Sequence, residues 1–249
     1  MPLTSPPQVD HDPDGVVRVR APNPSPLTLG GTNTYVAGGW VVDPGPADER
    51  HLEAVLSAAG GRVEGVLLTH SHLDHSEAAE PLAKRAGGVP IVLPAGGEQV
   101  GPFRALASPG HAPDHVCLLL GRLCFCGDTV LGEGSVFIDP TEGSLSAYLD
   151  SLRALRRLDL EVLCPGHGPY VRDPRRKLDE YIDHRMERER LLLGALDDGA
   201  RGEDELLDRA WADAPPALRP AAALTLRAHL AKLAAEGRVP PDLDDSLLT

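Results

Sequence analysis

Through the first two-thirds of the chain, short apolar, β-branched runs alternate with turn signals, at residues 35–37, 39–42, 65–68, 90–93 and 116–120. Each has the length and composition of a strand. Between them apolar positions recur at helical spacing over residues 48–59, 76–85 and 145–158. Pro81 inside the second of these should kink or restart the helix. Strands interleaved with helices predict an α/β fold, and no internal repeat is present. After Asp173-Pro174 the pattern changes. Residues 175–196 read as one charged helix, followed by a three-helix pattern at 203–212, 216–222 and 224–236 and then Gly237-Arg238-Val239-Pro240. The last of these helices carries Leu224, Leu226, Leu230 and Leu233 toward a core. The expected organisation is a large α/β domain at 1–174, a linker helix at 175–199, and a small winged-helix-like domain with its tail at 200–249. The tail is expected to fray from Pro241 onward.

Composition narrows the function classes. With 249 residues and 42% hydrophobic content, the chain can bury a real core. Aromatic residues make up only 4%, too few for broad base-stacking platforms. No apolar run reaches the roughly 18 residues that span a bilayer. The first fifteen residues lack the basic and apolar regions of a secretory signal. Four cysteines without a CxxC pair fit buried, reduced thiols, and a cytoplasmic location is expected. The net charge of −13 argues against a general nucleic-acid binder. The charge is uneven: residues 1–150 carry 8 Lys and Arg against 18 Asp and Glu, residues 151–190 carry 10 against 8, and residues 191–249 carry 6 against 11. The arginine-rich middle is the one stretch suited to steering an anionic substrate.

Residues 67–79 read LLTHSHLDHSEAA, placing three histidines and an aspartate behind an apolar run. They cross a predicted strand-to-helix turn. In extended backbone His70 and His72 face one side and suit a single metal. Asp74 and His75 lie just beyond, where the turn aims them at a second position. Imidazole mixed with carboxylate suits divalent cations. One cluster cannot complete two coordination spheres, but distant loops supply more donors. His111 follows Ser108-Pro109-Gly110, Asp128 follows Cys126-Gly127, and His167 lies in Cys164-Pro165-Gly166-His167-Gly168. Each sits at the exit of a predicted strand, beside glycines that permit close backbone approach. His11, His51 and His229 show no partner in the sequence and are expected at the surface.

The ordered set THSHLDH, PGH at 109–111, GD at 127–128 and GHG at 166–168 resembles the metallo-β-lactamase superfamily. The resemblance covers residues 20–175 and implies a four-layer αβ/βα sandwich with a dinuclear site along one edge. It also implies ligand roles: His70, His72 and His111 for one cation, Asp74, His75 and His167 for the other, and Asp128 bridging. Residues 22–35, Val42-Asp43-Pro44-Gly45, residues 131–134 and Tyr181-Ile182-Asp183-His184-Arg185, with the winged-helix-like tail, are similar to the β-lactamase-like protein 2 group. Some of that group cleave single-stranded RNA, while related fungal members hydrolyse polyketide thioesters. Ser76-Glu77-Ala78-Ala79 stands where the group often has a glycine pair, which should leave ligation intact and alter the pocket rim.

The resemblance implies a hydrolytic activity. Two divalent metals, zinc first with iron or manganese as alternatives, would hold a bridging hydroxide, with Asp74 orienting it. The leading substrate by resemblance is a single-stranded RNA phosphodiester. The alternatives are a thioesterase or glyoxalase-type hydrolase of a small ester or thioester, and a non-enzymatic nucleic-acid-binding protein. An intact ligand set speaks against the last. Asp43 is expected to brace the metal loops. Asn33 and His115 are candidates for the cleft or for ordinary packing. His184 and Arg185 are candidates for substrate contact, or part of an ordinary salt-bridged helix face. Oligomeric state is open.

Overall fold

The computed structural model describes residues 7–248 except Asp12 and Asp14, so part of the N-terminal reading falls outside the described residues. By its contacts the chain forms two compact units. The first comprises residues 1–108, 114–134 and 159–174, and the second residues 109–113, 135–158 and 175–249.

Unit one is built on two mixed sheets. The first takes β1 (Gln8–Asp10), β2 (Val16–Arg20), β3 (Asn33–Ala37), β4 (Trp40–Val42), β5 (Gly65–Leu67) and β6 (Ile91–Val92) in sequence order. β1 to β4 are antiparallel, and β4, β5 and β6 run parallel. The second sheet has the order β11 (Val162–Pro165), β10 (Leu123–Gly127), β9 (Val116–Leu120), β8 (Phe103–Ala107), β7 (Gln99–Val100), with β10 and β11 parallel.

The period-two alternation of strands sorts their side chains. Tyr35, Val42 and Leu67 turn inward to meet Phe103, Leu118, Phe125 and Cys164 of the second sheet. Tyr35 and Phe103 both pack edge-on against Phe125, at 5.3 and 5.6 Å between ring centres. Val36, Val41 and Val66 turn the other way, onto Leu52 and Val55 of α1 (Glu49–Ala58) and Leu82 of α3 (Ala79–Arg85). Burying each such side chain contributes about 1.5–3 kcal/mol. α1 begins where the Asp48 carboxylate accepts the His51 N–H.

The predicted helix at 76–85 is in fact two. α2 (Leu73–Ser76) is a single turn that opens three residues earlier, and α3 restarts after it with Pro81 in its first turn, where a missing N–H is harmless.

Unit two is helical, with α4 (Leu145–Arg156), α5 (Pro174–Asp197), α6 (Glu203–Ala210) and α7 (Arg219–Ala235). Two expectations are corrected here. The helices predicted at 216–222 and 224–236 are largely one: α7 runs unbroken through residue 223, and Pro220 lies at its start, where proline is tolerated. The segment beyond Pro241 is packed rather than frayed: Leu243 and Leu247 join Trp211, Leu226, Leu230 and Leu233 in the core of the unit. Among the described residues of 200–248 no strand forms. Among the described residues no helix is long and apolar enough to cross a membrane.

Candidate metal centre

The strand ends of unit one converge on its polar cluster. β5 leads into Thr69 and His70, β4 into Asp43, β10 into Asp128 and β11 into His167. Cross-links tie these exits together: Asn33 N–H donates to Gly166 O (2.7 Å), Gly166 N–H to Gly127 O (2.9 Å) and Val116 N–H to Thr69 O (2.8 Å).

After β5 the chain bends at Thr69 and His70 and turns helical at Leu73. His70 and His72 stand before that helix, and their Nε2 and Nδ1 atoms face each other at 3.1 Å. Asp74 and His75 leave the first turn of α2 instead. His75 Nδ1 lies 3.0 Å from Asp43 Oδ2, which leaves Nε2 directed at Asp128 Oδ1 (3.5 Å) and Asp74 Oδ2 (3.6 Å). His167 Nε2 approaches Asp74 Oδ2 (3.2 Å) and Asp128 Oδ2 (3.4 Å). Within unit one the donors form two overlapping sets, His70, His75 and Asp128, and Asp74, His75 and His167, each with its atoms within 4.8 Å of one another. His75 Nε2 is fully buried with no hydrogen-bond partner.

The electrostatics match a cation site. Burial disfavours charge on every member, yet the mutual attraction wins. Burial raises the Asp128 pKa, but His167 and His75 hold it well below the usual carboxylate range. Asp74 is lowered against the same opposition, chiefly by its contact with His167 and the His75 charge. Burial opposes a proton on His75, but Asp128 and Asp43 raise its pKa well above the ordinary value. His167 is raised to about 9 by Asp128 and Asp74, again against burial. Negative charge is thus concentrated where a divalent ion would replace two protons.

A supporting layer fixes the donors. Asp43 takes a left-handed backbone (φ 48°), a conformation that aspartate tolerates better than most residues. Its carboxylate accepts the Thr69 N–H and hydroxyl, each at 2.7 Å, as well as contacting His75. Asn33 is fully buried and donates to Pro165 O (3.0 Å) and Gly168 O (2.8 Å), holding the turn that carries His167. His115, 1% exposed, accepts the Asp128 N–H at Nε2 (3.1 Å), so its Nδ1 carries the proton toward Ser108 Oγ (2.9 Å). A Cβ at Gly166 would stand 2.5 Å from His75 Cε1 and 2.6 Å from Asp128 Oδ1. Glu77, at the expected rim, accepts the Ala47 N–H (3.0 Å).

Two histidines expected at the surface are buried. His51 is 0% exposed and bonds Thr34 Oγ1 (2.8 Å), whose hydroxyl donates to Asp43 O (2.7 Å). It is therefore part of the support under Asp43, and burial lowers its pKa to about 4. His229, also 0% exposed, packs on Trp211 in unit two. A sequence cannot show the tertiary partners that bury a lone histidine. The support from Thr34 and Thr69 escapes sequence reasoning for the same reason, although Thr69 adjoins the motif. His11 is exposed as expected.

The remaining candidates belong to unit two. His111 is 4% exposed, with Nδ1 3.3 Å from Phe137 O. Arg185 does not lie on a solvated helix face. It is 1% exposed, donates to Val136 O and stands over the Tyr148 ring at 5.4 Å. His184 accepts from Arg188 Nε (3.2 Å), and burial with the Arg185 and Arg188 charges lowers its pKa to about 4.

Comparison with known proteins agrees with this architecture. Residues 27–105 and 90–167 match the metallo-beta-lactamase superfamily, and residues 203–244 match the beta-lactamase associated winged helix domain. A beta-lactamase-like protein 2 homolog of Caenorhabditis elegans is 32% identical over 91% of this chain and 86% of its own. An atrochrysone carboxyl ACP thioesterase of Aspergillus fumigatus is 33% identical over 76% of this chain and 67% of its own. The crystal structure of a metallo-beta-lactamase family protein from Thermus thermophilus superposes with a TM-score of 0.70 at 26% identity, covering 90% of this chain and 94% of that one.

Proposed function

We propose a function from one premise: the chain belongs to the metallo-β-lactamase superfamily and carries that superfamily's associated winged-helix domain. The proposed activity is hydrolysis dependent on two divalent cations. The observation that carries it is His75 Nε2, buried without a hydrogen-bond partner between two carboxylates, on a ring aimed by Asp43. A cation satisfies all three groups at once, and the donor set suits zinc first, with iron or manganese as alternatives through the carboxylates.

In this reading His70, His72 and His111 would hold one ion, Asp74, His75 and His167 would hold the other, and Asp128 would serve both. Asp128 suits that role because its two oxygens face different histidines. Bound cations supply Lewis-acid chemistry, activating water near neutral pH and neutralising charge at the scissile group. The protein's own residues do the rest. Asp43 accepts the His75 Nδ1 proton and so presents Nε2 inward. His115 fixes the backbone of Asp128. Asp74, whose side chain is 34% exposed, is the open carboxylate of the set. Its Oδ2 faces the histidines, and its other oxygen orients the attacking water and takes its proton. That proton then passes to the leaving group.

For the substrate we favour a thioester. Leu73, between His72 and Asp74, is 73% exposed and gives the site an apolar lip suited to an acyl chain. Residues 1–150, which carry all the proposed ligands but His167, are strongly acidic. A relative with thioesterase in its name supports the same direction. Single-stranded RNA is the second reading, favoured by the arginine-rich stretch at 151–190. Four buried, unbridged cysteines fit a reducing compartment such as the cytoplasm.

The test is metal analysis followed by a side-by-side assay of an acyl thioester, S-lactoylglutathione and a single-stranded oligoribonucleotide. About two ions per chain and thioester cleavage are expected. Purified protein that takes up no divalent ion overturns the enzyme mechanism, and cleavage of the oligoribonucleotide alone overturns the substrate.

A further inference from the structure

Unit two contains a chain of buried contacts that the proposed chemistry does not use, and it ends on His111. Phe137 O is the partner of His111 Nδ1. The residues on either side of Phe137 are each pinned by a helix. Val136 O accepts from the guanidinium of Arg185 on α5. Ile138 N–H donates to Thr225 Oγ1 on α7 at 3.2 Å, and that hydroxyl in turn donates to Ala221 O at 3.1 Å. Val136, Ile138, Thr225 and Arg185 are each no more than 3% exposed. The loop before His111 is seated on α4: Gly110 O accepts the Ser144 N–H (2.9 Å), and a Cβ at Gly110 would stand 2.4 Å from Tyr148 Cα.

We propose that Thr225 and Arg185 are positioning residues for His111, acting through the Phe137 carbonyl that they hold between them. The inference rests on His111 being a metal ligand, and it gives the winged-helix domain a part in metal binding. A ligating histidine commonly donates its second ring N–H to a carbonyl that sets tautomer and ring orientation. Here a peptide carbonyl does this, and its direction is set by the plane of its own peptide group, which also carries the Ile138 N–H, and by the peptide group before it. α7 fixes the first through Thr225 and α5 the second through Val136 O. Thr225 suits the position because it accepts the Ile138 N–H while satisfying its own hydroxyl within α7. Valine has the same shape and neither bond.

The experiment compares Thr225→Val, Thr225→Ser and His111→Ala in the full chain, by competitive zinc titration, cobalt(II) absorption spectra and thermal midpoint. Thr225→Val is expected to weaken one of the two binding steps by about 10-fold or more, with an altered cobalt spectrum. Thr225→Ser should restore both. His111→Ala should lose that same step entirely. Arg185→Met against Arg185→Lys repeats the test from α5, so an unstable Thr225→Val protein does not end it. Wild-type affinity at both steps in Thr225→Val and Arg185→Met overturns the proposal. Wild-type affinity in His111→Ala overturns the ligand assignment beneath it.

Discussion

Two pairs of histidines, one pair in each unit, are treated in opposite ways by their neighbours. In unit one, His75 and His167 are surrounded by Asp43, Asp74 and Asp128, and their proton affinity is raised, whereas His51 of the same unit, away from those carboxylates, is lowered by burial. In unit two, burial lowers the affinity of His229 and His184, and Arg185 and Arg188 lower it further, with Lys232 adding to the effect on His229. The side chain is the same and His229 lies as deep as His75, so the difference lies in the charge of the neighbours. A pocket that stabilises a proton on imidazole also stabilises a divalent ion. A pocket lined by cations expels both. Buried histidine alone does not mark a metal site. Buried histidine fed by carboxylates does.

The largest expected effect removes the carboxylate that feeds both histidines. Asp128→Ala should lose bound metal and reduce kcat/KM by at least about 10³-fold, read by elemental analysis and turnover. Retained metal at wild-type stoichiometry would end the proposed sharing.

The next effect is one of sign. In chelator-stripped protein, folded His167 has a pKa of about 9 against an ordinary 6.5. Its proton therefore stabilises the fold below pH 6.5 and that contribution is lost as pH rises through 9. It amounts to about 3 kcal/mol, at roughly 1.4 kcal/mol per pKa unit. His184 and His229 act oppositely. Their unfolded forms take protons that the folded forms refuse, so stability falls as pH drops from 6.5 toward 4. Urea unfolding across pH 4–9 should show both slopes. His167→Gln should flatten only the alkaline one.

The smallest effect is the control. Neither ring nitrogen of His229 has a hydrogen-bond partner. His229→Leu should stabilise the chain by about 1 kcal/mol, with metal content unchanged. A loss of metal in this variant would mean the two histidine populations are not separate.

Legibility in the sequence divides along the same line. Among the proposed donors of unit one, Asp128 and His167 are readable because each sits at a strand exit beside glycine, and His70, His72, Asp74 and His75 because their HxHxDH motif leads from a strand into a helix. The strand runs behind them are readable from their alternation. Tertiary context is not. His51 and His229 read as surface residues, since nothing local announces the Thr34 hydroxyl or the Trp211 ring that covers them. Arg185 reads as a solvated cation until α4 and the loop at 135–139 close over it. α7 reads as two helices although it runs unbroken from Arg219 to Ala235. Leu243 and Leu247 read as a loose tail because their core comes from helices earlier in the chain.

Position 166 makes this geometry unforgiving. With glycine there, the main chain itself forms one wall of the cage around His75 and Asp128. A single methyl group would act as a wedge, prising apart two of the proposed donors. The residue with no side chain thus sets the bore of the site, and any enlargement at that point should be felt first as a change in which cation fits.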